Sequence, residues 1–133
     1  MTSRTASCSC GQLRATCAGE PVRVSICHCL ECQKRTGSIF AVQARFPRDR
    51  VVVEGRSTLW TRVGDSGTAA TFHFCPVCGS IVYWDMNAAP DVIAVPVGQF
   101  ADPTFPPPHV SVYDERQHPW AMAAGELAME HFR

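Results

Sequence analysis

The eight cysteines of this 133-residue chain constrain its fold more than any other feature, because seven of them lie in three short clusters. The clusters are Cys8 and Cys10, then Cys27, Cys29 and Cys32, then Cys75 and Cys78. The first 25 residues contain no apolar run as long as a secretory signal needs, so we expect a reducing, cytoplasmic environment. Cysteines this close together are poorly placed for disulfides with one another, and in such a compartment they indicate metal binding.

The first and third clusters together have the features of one structural zinc site. Each supplies two thiolates, in CSCG and CPVCG, and each ends at a glycine, Gly11 or Gly79. Glycine tolerates the backbone conformation that aims N–H groups at a zinc-bound sulfur. Two thiolates from each cluster complete the four ligands of a closed tetrahedral site, which would tie the N-terminus to a distant hairpin.

The middle cluster has three cysteines and no obvious fourth ligand. Alternation along SICHC places Cys27 and Cys29 on one face of the chain, and the following turn brings Cys32 towards them. Three protein ligands with an open fourth position are typical of catalytic zinc rather than structural zinc.

Two other groupings of the cysteines are open. Cys17 is an alternative fourth ligand for the middle cluster, although it alternates with Leu13 and Ala15 on an apolar face that favours burial. Cys75 and Cys78 are alternatively a redox pair, although no strand–helix–strand pattern surrounds them.

Short alternating segments dominate the rest of the sequence and predict a mainly β fold. They are rich in β-branched and aromatic residues and are separated by Gly, Pro, Asp and Ser. The segments are QLRATC, VRVSI, FAVQARF, VVVEG, STLWTRV, ATFHF, SIVYW, DVIAVPVG and HVSVY. Leu30 to Gly37 predicts a short helix that ends at the glycine, and residues 119–132 predict another that Gly125 interrupts.

Length and charge narrow the class of protein further. The length of 133 residues predicts a single domain that covers residues 1–133. Twelve basic and twelve acidic side chains balance, so we expect no nucleic-acid partner. No apolar stretch approaches the length of a membrane helix, so we expect no membrane partner either.

Three motifs, CSCG, CHCLECQKRTGS and FCPVCGSIVYW, in this order and spacing, resemble the glutathione-dependent formaldehyde-activating enzyme family, which also contains centromere protein V. VGQFADPTFPPPHVSVYDERQHPW is similar to the closing segment of that family, so the resemblance covers about residues 5–122. It implies a β-tent fold of short antiparallel sheets around zinc sites, with short helical turns.

The resemblance also implies a ligand set and an activity. A structural zinc would be held by Cys8, Cys10, Cys75 and Cys78, and a catalytic zinc by Cys27, Cys29 and Cys32. The implied activity is that of a carbon–sulfur lyase resembling S-(hydroxymethyl)glutathione synthase, which joins a glutathione-like thiol and a formaldehyde-like aldehyde. We expect two zinc ions per chain, with the second more easily lost because it has fewer ligands and more contact with oxidants.

Other functions fit some of the same residues. A non-catalytic zinc-binding interaction module, or a thiol and zinc redox sensor, would use the same cysteines. Lys34 and Arg35, which follow the last cysteine of the middle cluster, are candidates to meet the carboxylates of glutathione, or else are solvated charges on a helical turn.

Overall fold

The computed structural model describes residues 1–121 and 129–132, and this part of the chain is mainly β, as the sequence predicts. Its strands are β1 (Ser3–Ser7), β2 (Arg14–Ala18), β3 (Arg23–Cys27), β4 (Ala41–Pro47), β5 (Val51–Glu54), β6 (Thr58–Val63), β7 (Ala69–Phe74), β8 (Ile81–Met86), β9 (Val92–Pro96), β10 (Val110–Val112) and β11 (Glu130–His131). One α-helix, α1 (Leu30–Thr36), lies between β3 and β4 in the described residues.

The strands form two sheets. A three-stranded sheet has the order β1-β2-β5, and an eight-stranded sheet has the order β11-β10-β3-β4-β9-β8-β7-β6. Most neighbours are antiparallel, but β10 runs parallel to both β3 and β11. The predicted, mostly antiparallel β architecture is therefore confirmed, and β10 is an exception at one edge because it returns after a long proline-containing connection rather than through a hairpin.

The main core lies between the two sheets. One face of β3, β4 and β9 contributes Val24, Ala44, Phe46 and Val95, and the three-stranded sheet contributes Ala15 and Cys17. These residues are at most 2% exposed, so this face of the eight-stranded sheet is closed to solvent. A functional site on this sheet must therefore use its opposite face or its ends.

The opposite face carries α1 and a smaller aromatic cluster. Phe72 and Trp84 lie in directly paired positions on β7 and β8, with ring centroids 5.3 Å apart. The first turn of α1 follows Cys27 and Cys29, so the helix begins where the middle cysteine cluster lies. The cysteines and the aromatic cluster consequently share one side of the sheet.

Helix α1 has the ends that its sequence predicts. The Cys29 sulfur accepts a hydrogen bond from the Cys32 backbone N–H at the start of the helix, and Gly37 ends it with a left-handed φ of 67°. The second predicted helix falls largely on residues 122–128, outside the described residues. No helix among the described residues is long and apolar enough to span a bilayer.

Candidate metal centres

The four-cysteine cluster joins two hairpins that are distant in sequence. Cys8 and Cys10 lie in the turn after β1, and Cys75 and Cys78 lie in the turn between β7 and β8. All four sulfur atoms lie within 4.8 Å of one another. The Ser9 backbone N–H donates to Ser80 Oγ at 3.3 Å, and a hydrogen bond of 3.1 Å between the Ser9 and Ser80 hydroxyls also connects the two turns.

Backbone geometry in these turns follows the prediction from their glycines. Gly11 and Gly79 both have left-handed φ angles, of 86° and 82°. The Gly79 N–H donates to the Cys75 carbonyl at 2.9 Å, which closes the turn that brings Cys75 and Cys78 together. An L-residue with a side chain rarely adopts such a φ, so the two glycines allow the turns to form.

Neutral donors surround the four-cysteine cluster. The Leu13 backbone N–H donates to Cys8 Sγ at 3.3 Å, and the Val77 N–H donates to Cys75 Sγ at 3.4 Å. The Gln12 side chain donates to Cys75 Sγ at 3.0 Å, a contact that no motif in the sequence indicates. A second amide hydrogen bond, from Gln12 Nε2 to the Arg56 carbonyl at 2.8 Å, fixes its orientation. Donors of this kind stabilise thiolates.

The three-cysteine cluster is built from one continuous segment. Cys27 ends β3, Cys29 caps α1, and Cys32 lies in its first turn. Their three sulfur atoms lie within 4.8 Å of one another, and the Cys32 backbone N–H donates to Cys29 Sγ at 3.2 Å. Hydrogen bonds from the Cys27 and Cys32 thiols lower the pKa of the Cys29 thiol.

Positive charge lies beside this second cluster. Arg35 Nη2 is 3.7 Å from Cys32 Sγ, and its guanidinium lies 4.9 Å from the ring centre of Phe72 and 4.6 Å from a ring centre of Trp84. The charge of Arg62 on β6 is a further cause that lowers the pKa of Cys29. Nothing in the sequence pattern singles out Arg62, because its proximity depends on how β6 and α1 are placed around the sheet.

Both clusters fit zinc by donor chemistry, and the four-cysteine cluster also fits it by the separation of its sulfurs. Two Zn–S bonds of about 2.3 Å at a tetrahedral angle place their sulfurs about 3.8 Å apart. Cys10 Sγ is 3.6 Å from Cys8 Sγ and 3.6 Å from Cys75 Sγ, which is close to that separation. Sets of soft thiolates in reduced proteins select zinc over hard cations such as magnesium.

Cys17 belongs to neither cluster. It is fully buried on β2 in the main core, and its sulfur lies 3.9 Å from the Ala15 carbonyl oxygen. Its placement on the apolar face of the strand is the one that alternation predicts. Two closed four-cysteine sites, the alternative that used Cys17, are therefore incompatible with the fold.

The solvent exposure of the cysteines in the two clusters differs from the one expected from the sequence. We expected the three-cysteine cluster to be the more accessible to oxidants, but Cys27 and Cys32 are buried and Cys29 is half-buried. In the four-cysteine cluster, Cys10 and Cys78 are exposed. The expectation is wrong because α1 covers its own cysteines, whereas the two turns of the other cluster lie at the surface.

Three residues beside the middle cluster have distinct environments. Lys34 is exposed and lies 3.7 Å from Glu31, so it is a solvated charge, whereas Arg35 is directed at the cluster. His28 points away from the cysteines and is buried, with its ring centroid 6.0 Å from that of Phe40. Of the two basic residues considered at sequence level, only Arg35 lies at the sulfurs.

Two concave surfaces lie on the cysteine-bearing side of the sheet. One has a volume of about 350 Å³ and lies between α1 and β6, since its lining residues are Glu31, Lys34 and Arg35 of α1 and Trp60 of β6. The other, of about 390 Å³, is apolar and is lined by Leu59, Trp60, Phe72, Phe74, Gly79 and Ile81. Both volumes are in the range of small-molecule sites. Trp60 lines both concave surfaces, and Arg35, which lines the one beside α1, also contacts Cys32 Sγ.

The sequence profile of the family described as glutathione-dependent formaldehyde-activating enzyme matches residues 3–116. The chain belongs to this family. The match includes all seven clustered cysteines and both sheets except β11. Family membership thus agrees with the resemblance carried by the three cysteine motifs.

A solved structure shares the fold. It is the crystal structure of a Rhodobacter sphaeroides protein from a structural genomics programme, with a TM-score of 0.56 and 22% sequence identity. The match covers 71% of this chain and 85% of that chain. A comparison with curated proteins returns no match. The family assignment therefore comes from the sequence profile, and the solved structure supports the fold alone.

Proposed function

We propose that this member of the formaldehyde-activating family is a zinc-dependent enzyme of the carbon–sulfur lyase type. It would join a glutathione-like thiol to a formaldehyde-like aldehyde, or split their adduct, at the three-cysteine cluster. The observation that carries the proposal is the convergence of three sulfurs, those of Cys27, Cys29 and Cys32, beside Arg35 and next to a concave surface of small-molecule size.

The two clusters would have different roles. Cys8, Cys10, Cys75 and Cys78 would hold a structural zinc, since four thiolates complete its coordination. Cys27, Cys29 and Cys32 would hold a second zinc with one position left for substrate. Zinc bound in this way supplies a soft Lewis acid that keeps a substrate thiol in its thiolate form near neutral pH.

The reaction balances without any further reactant. In the forward direction the substrate sulfur forms a bond to the aldehyde carbon, and the carbonyl π electrons move to the oxygen. The thiol loses one proton and the oxygen gains one, so no net proton is taken up. The reverse reaction breaks the same carbon–sulfur bond and restores the thiol and the aldehyde.

The surrounding residues would favour the thiolate form of the reacting sulfur. Three thiolates around a divalent zinc leave one net negative charge, and the positive charge of Arg35 beside Cys32 offsets it. Arg62 acts in the same direction on Cys29. Trp60 and Phe72, which stack with centroids 5.8 Å apart, would provide an apolar wall on the same side of the sheet. Thiolates also need a reducing compartment, for which the cytoplasm is the expected location.

A thiol-by-aldehyde panel tests this proposal. The zinc-loaded protein should accelerate at least one thiol–aldehyde pair above the spontaneous rate measured in the same buffer. Cys29→Ser should abolish the acceleration, whereas Cys17→Ala, which changes a core cysteine outside both clusters, should retain it. Rates equal to the spontaneous background for every pair, with two zinc ions bound, would reject the enzyme assignment and favour a binding module.

A further inference from the structure

A ladder of polar side chains extends from Cys27 across the same face of the eight-stranded sheet. Successive side chains of a strand alternate between faces, so Ser25 and Arg23 point to the same side as Cys27. The antiparallel partner β4 places Gln43 opposite Ser25 and Arg45 opposite Arg23. Two cross-strand polar pairs therefore lie on the same face as Cys27, first Ser25 with Gln43 and then Arg23 with Arg45.

Four polar atoms of this ladder are buried without a partner. They are Ser25 Oγ, Gln43 Oε1, Arg23 Nε and Arg45 Nε, and none has a hydrogen bond within the described ranges. Ser25 is only 1% exposed. Buried polar atoms in native proteins nearly always have partners, so four unpartnered atoms in two neighbouring pairs indicate a ligand that supplies them.

Arg23 and Arg45 also lack a compensating charge in the part of the chain that is described. Three of the ten described arginines form an ion pair, Arg4 with Glu20, Arg14 with Glu54 and Arg48 with Asp85. Neither member of the Arg23–Arg45 pair forms one, and burial together with the charge of Arg23 lowers the pKa of Arg45. Like charges directly opposite one another on neighbouring strands repel, and an anion between them would remove that repulsion.

The ligand chemistry follows from the shape of the side chains. A guanidinium presents paired N–H donors that match the two oxygens of a carboxylate. Ser25 adds a hydroxyl donor beside them, and Gln43 adds an acceptor for an amide N–H. A carboxylate attached to a peptide amide would satisfy all of these groups.

The spacing fits a peptide thiol. Arg23 lies four residues from Cys27 along β3, or about 13 Å at about 3.3 Å per residue. In a peptide thiol of the glutathione type the sulfur is on the central residue, and its more distant carboxylate is eight bonds away, or roughly 9 Å when extended, so the arginine side chains must cover the remaining distance. A tripeptide whose sulfur lies at the three-cysteine cluster can therefore place a carboxylate at Arg23 and Arg45.

We propose that Arg23, Arg45, Ser25 and Gln43 form a carboxylate subsite that makes the protein select acidic peptide thiols over simple thiols. The inference rests on the proposed function, because it takes the substrate sulfur to lie at Cys27, Cys29 and Cys32. It assigns substrate selection to a sheet surface outside the cysteine motifs.

Binding of S-methylglutathione by the zinc-loaded protein tests the subsite. This probe keeps both carboxylates but has no free thiol. Arg45→Met and Arg23→Met should each weaken its binding at least tenfold in titration calorimetry. Arg14→Met, which removes an arginine from an exposed ion pair on the other sheet, should leave its binding unchanged. Equal binding by wild type and Arg45→Met would overturn the proposal.

Wild-type protein alone gives a second measurement that does not depend on the folding of variants. Esterification of both carboxylates of S-methylglutathione should weaken binding at least tenfold, and inorganic phosphate should compete with the unesterified probe only weakly. Equal binding of the diester would overturn the proposal. Arg45→Met should also raise the melting temperature of the ligand-free protein, because it removes a partly buried charge without a partner.

Failure of the subsite and failure of the enzyme assignment have different signatures. Carboxylate-dependent binding of S-methylglutathione without acceleration of any thiol–aldehyde pair would reject the enzyme and retain the subsite. Equal acceleration with glutathione and with 2-mercaptoethanol, unchanged in Arg45→Met, would retain the enzyme and reject the subsite.

Discussion

The four-cysteine and three-cysteine clusters differ in the groups that contact their sulfurs. Backbone N–H groups and the Gln12 amide donate to the four-cysteine cluster, whereas the Arg35 guanidinium lies at the three-cysteine cluster. Neutral donors fix geometry, while a nearby positive charge also changes the chemistry of a thiolate. This difference is the one expected under the proposed function, in which the four-cysteine cluster would maintain the fold and the three-cysteine cluster would hold the substrate.

The two clusters also differ in how far apart their cysteines lie in the sequence. The three cysteines of the middle cluster lie within six consecutive residues, Cys27 to Cys32, whereas Cys10 and Cys75 are 65 residues apart. Loss of a long-range connection affects both sheets, but loss of a local one affects a single turn. Mutations in the two clusters should therefore give effects of very different size.

Cys75→Ser should have the largest effect. A structural zinc contributes on the order of 10 kcal/mol or more, which is comparable to the whole stability of a typical domain. We expect an unfolded or aggregated protein, with loss of the β circular dichroism signal and of more than one zinc ion by elemental analysis. A folded variant that still binds one zinc ion would remove the distinction between the clusters.

Cys29→Ser should remove one zinc ion and the proposed activity but leave the fold intact. Cys29 is half-buried and its cluster is local, so neither sheet depends on it. Elemental analysis should give about one zinc per chain, and the circular dichroism spectrum should match the wild type. Unfolding comparable to that of Cys75→Ser would mean that the three-cysteine cluster is also structural.

Arg35→Met should weaken zinc binding at the three-cysteine cluster by about tenfold, or about 1.4 kcal/mol, because a charge beside the thiolates is lost. Competition with a chromogenic chelator would measure this affinity separately from that of the tighter site. Lys34→Met is the matched control, since Lys34 is the adjacent residue of the same helix but is exposed and paired with Glu31. Equal effects of the two substitutions would show that Arg35 has no specific role at the cluster.

Cys17→Ala should have the smallest effect. Removal of a buried sulfur from the main core leaves a small cavity, and we expect a loss of about 1 kcal/mol in the free energy of unfolding. Denaturant titration measures this loss, and elemental analysis should still give the wild-type zinc content. A lower zinc content would make Cys17 a ligand after all.

The strands and the cysteine groups were largely predictable from the sequence because both depend on local spacing. Alternation in FAVQARF and ATFHF predicts β4 and β7, and Gly37 predicts the end of α1. Strand β1 was not predicted, since SRTAS has no apolar alternation and is a strand only because it pairs with β2. The parallel pairing of β10 with β3 likewise depends on a long connection with no local signal.

The surroundings of the clusters were not predictable in the same way. The contact of Gln12 with Cys75 Sγ and the effect of the Arg62 charge on the pKa of Cys29 both depend on the folded chain. The Arg23–Arg45 pair likewise exists only through the register of β3 and β4. Register is a long-range property that one sequence does not fix. The residues that surround the two cysteine clusters can therefore be identified only from the folded structure.

The long separation between the two halves of the four-cysteine cluster has a consequence during synthesis. At about 5–20 residues per second, a ribosome needs roughly 3 to 13 seconds to extend the chain by the 65 residues between Cys10 and Cys75. The three cysteines from Cys27 to Cys32 emerge together within that interval. A nascent chain thus presents all three sulfurs of the middle cluster before the four sulfurs of the other cluster can meet, so under the proposed function the substrate site would be the first that zinc could fill.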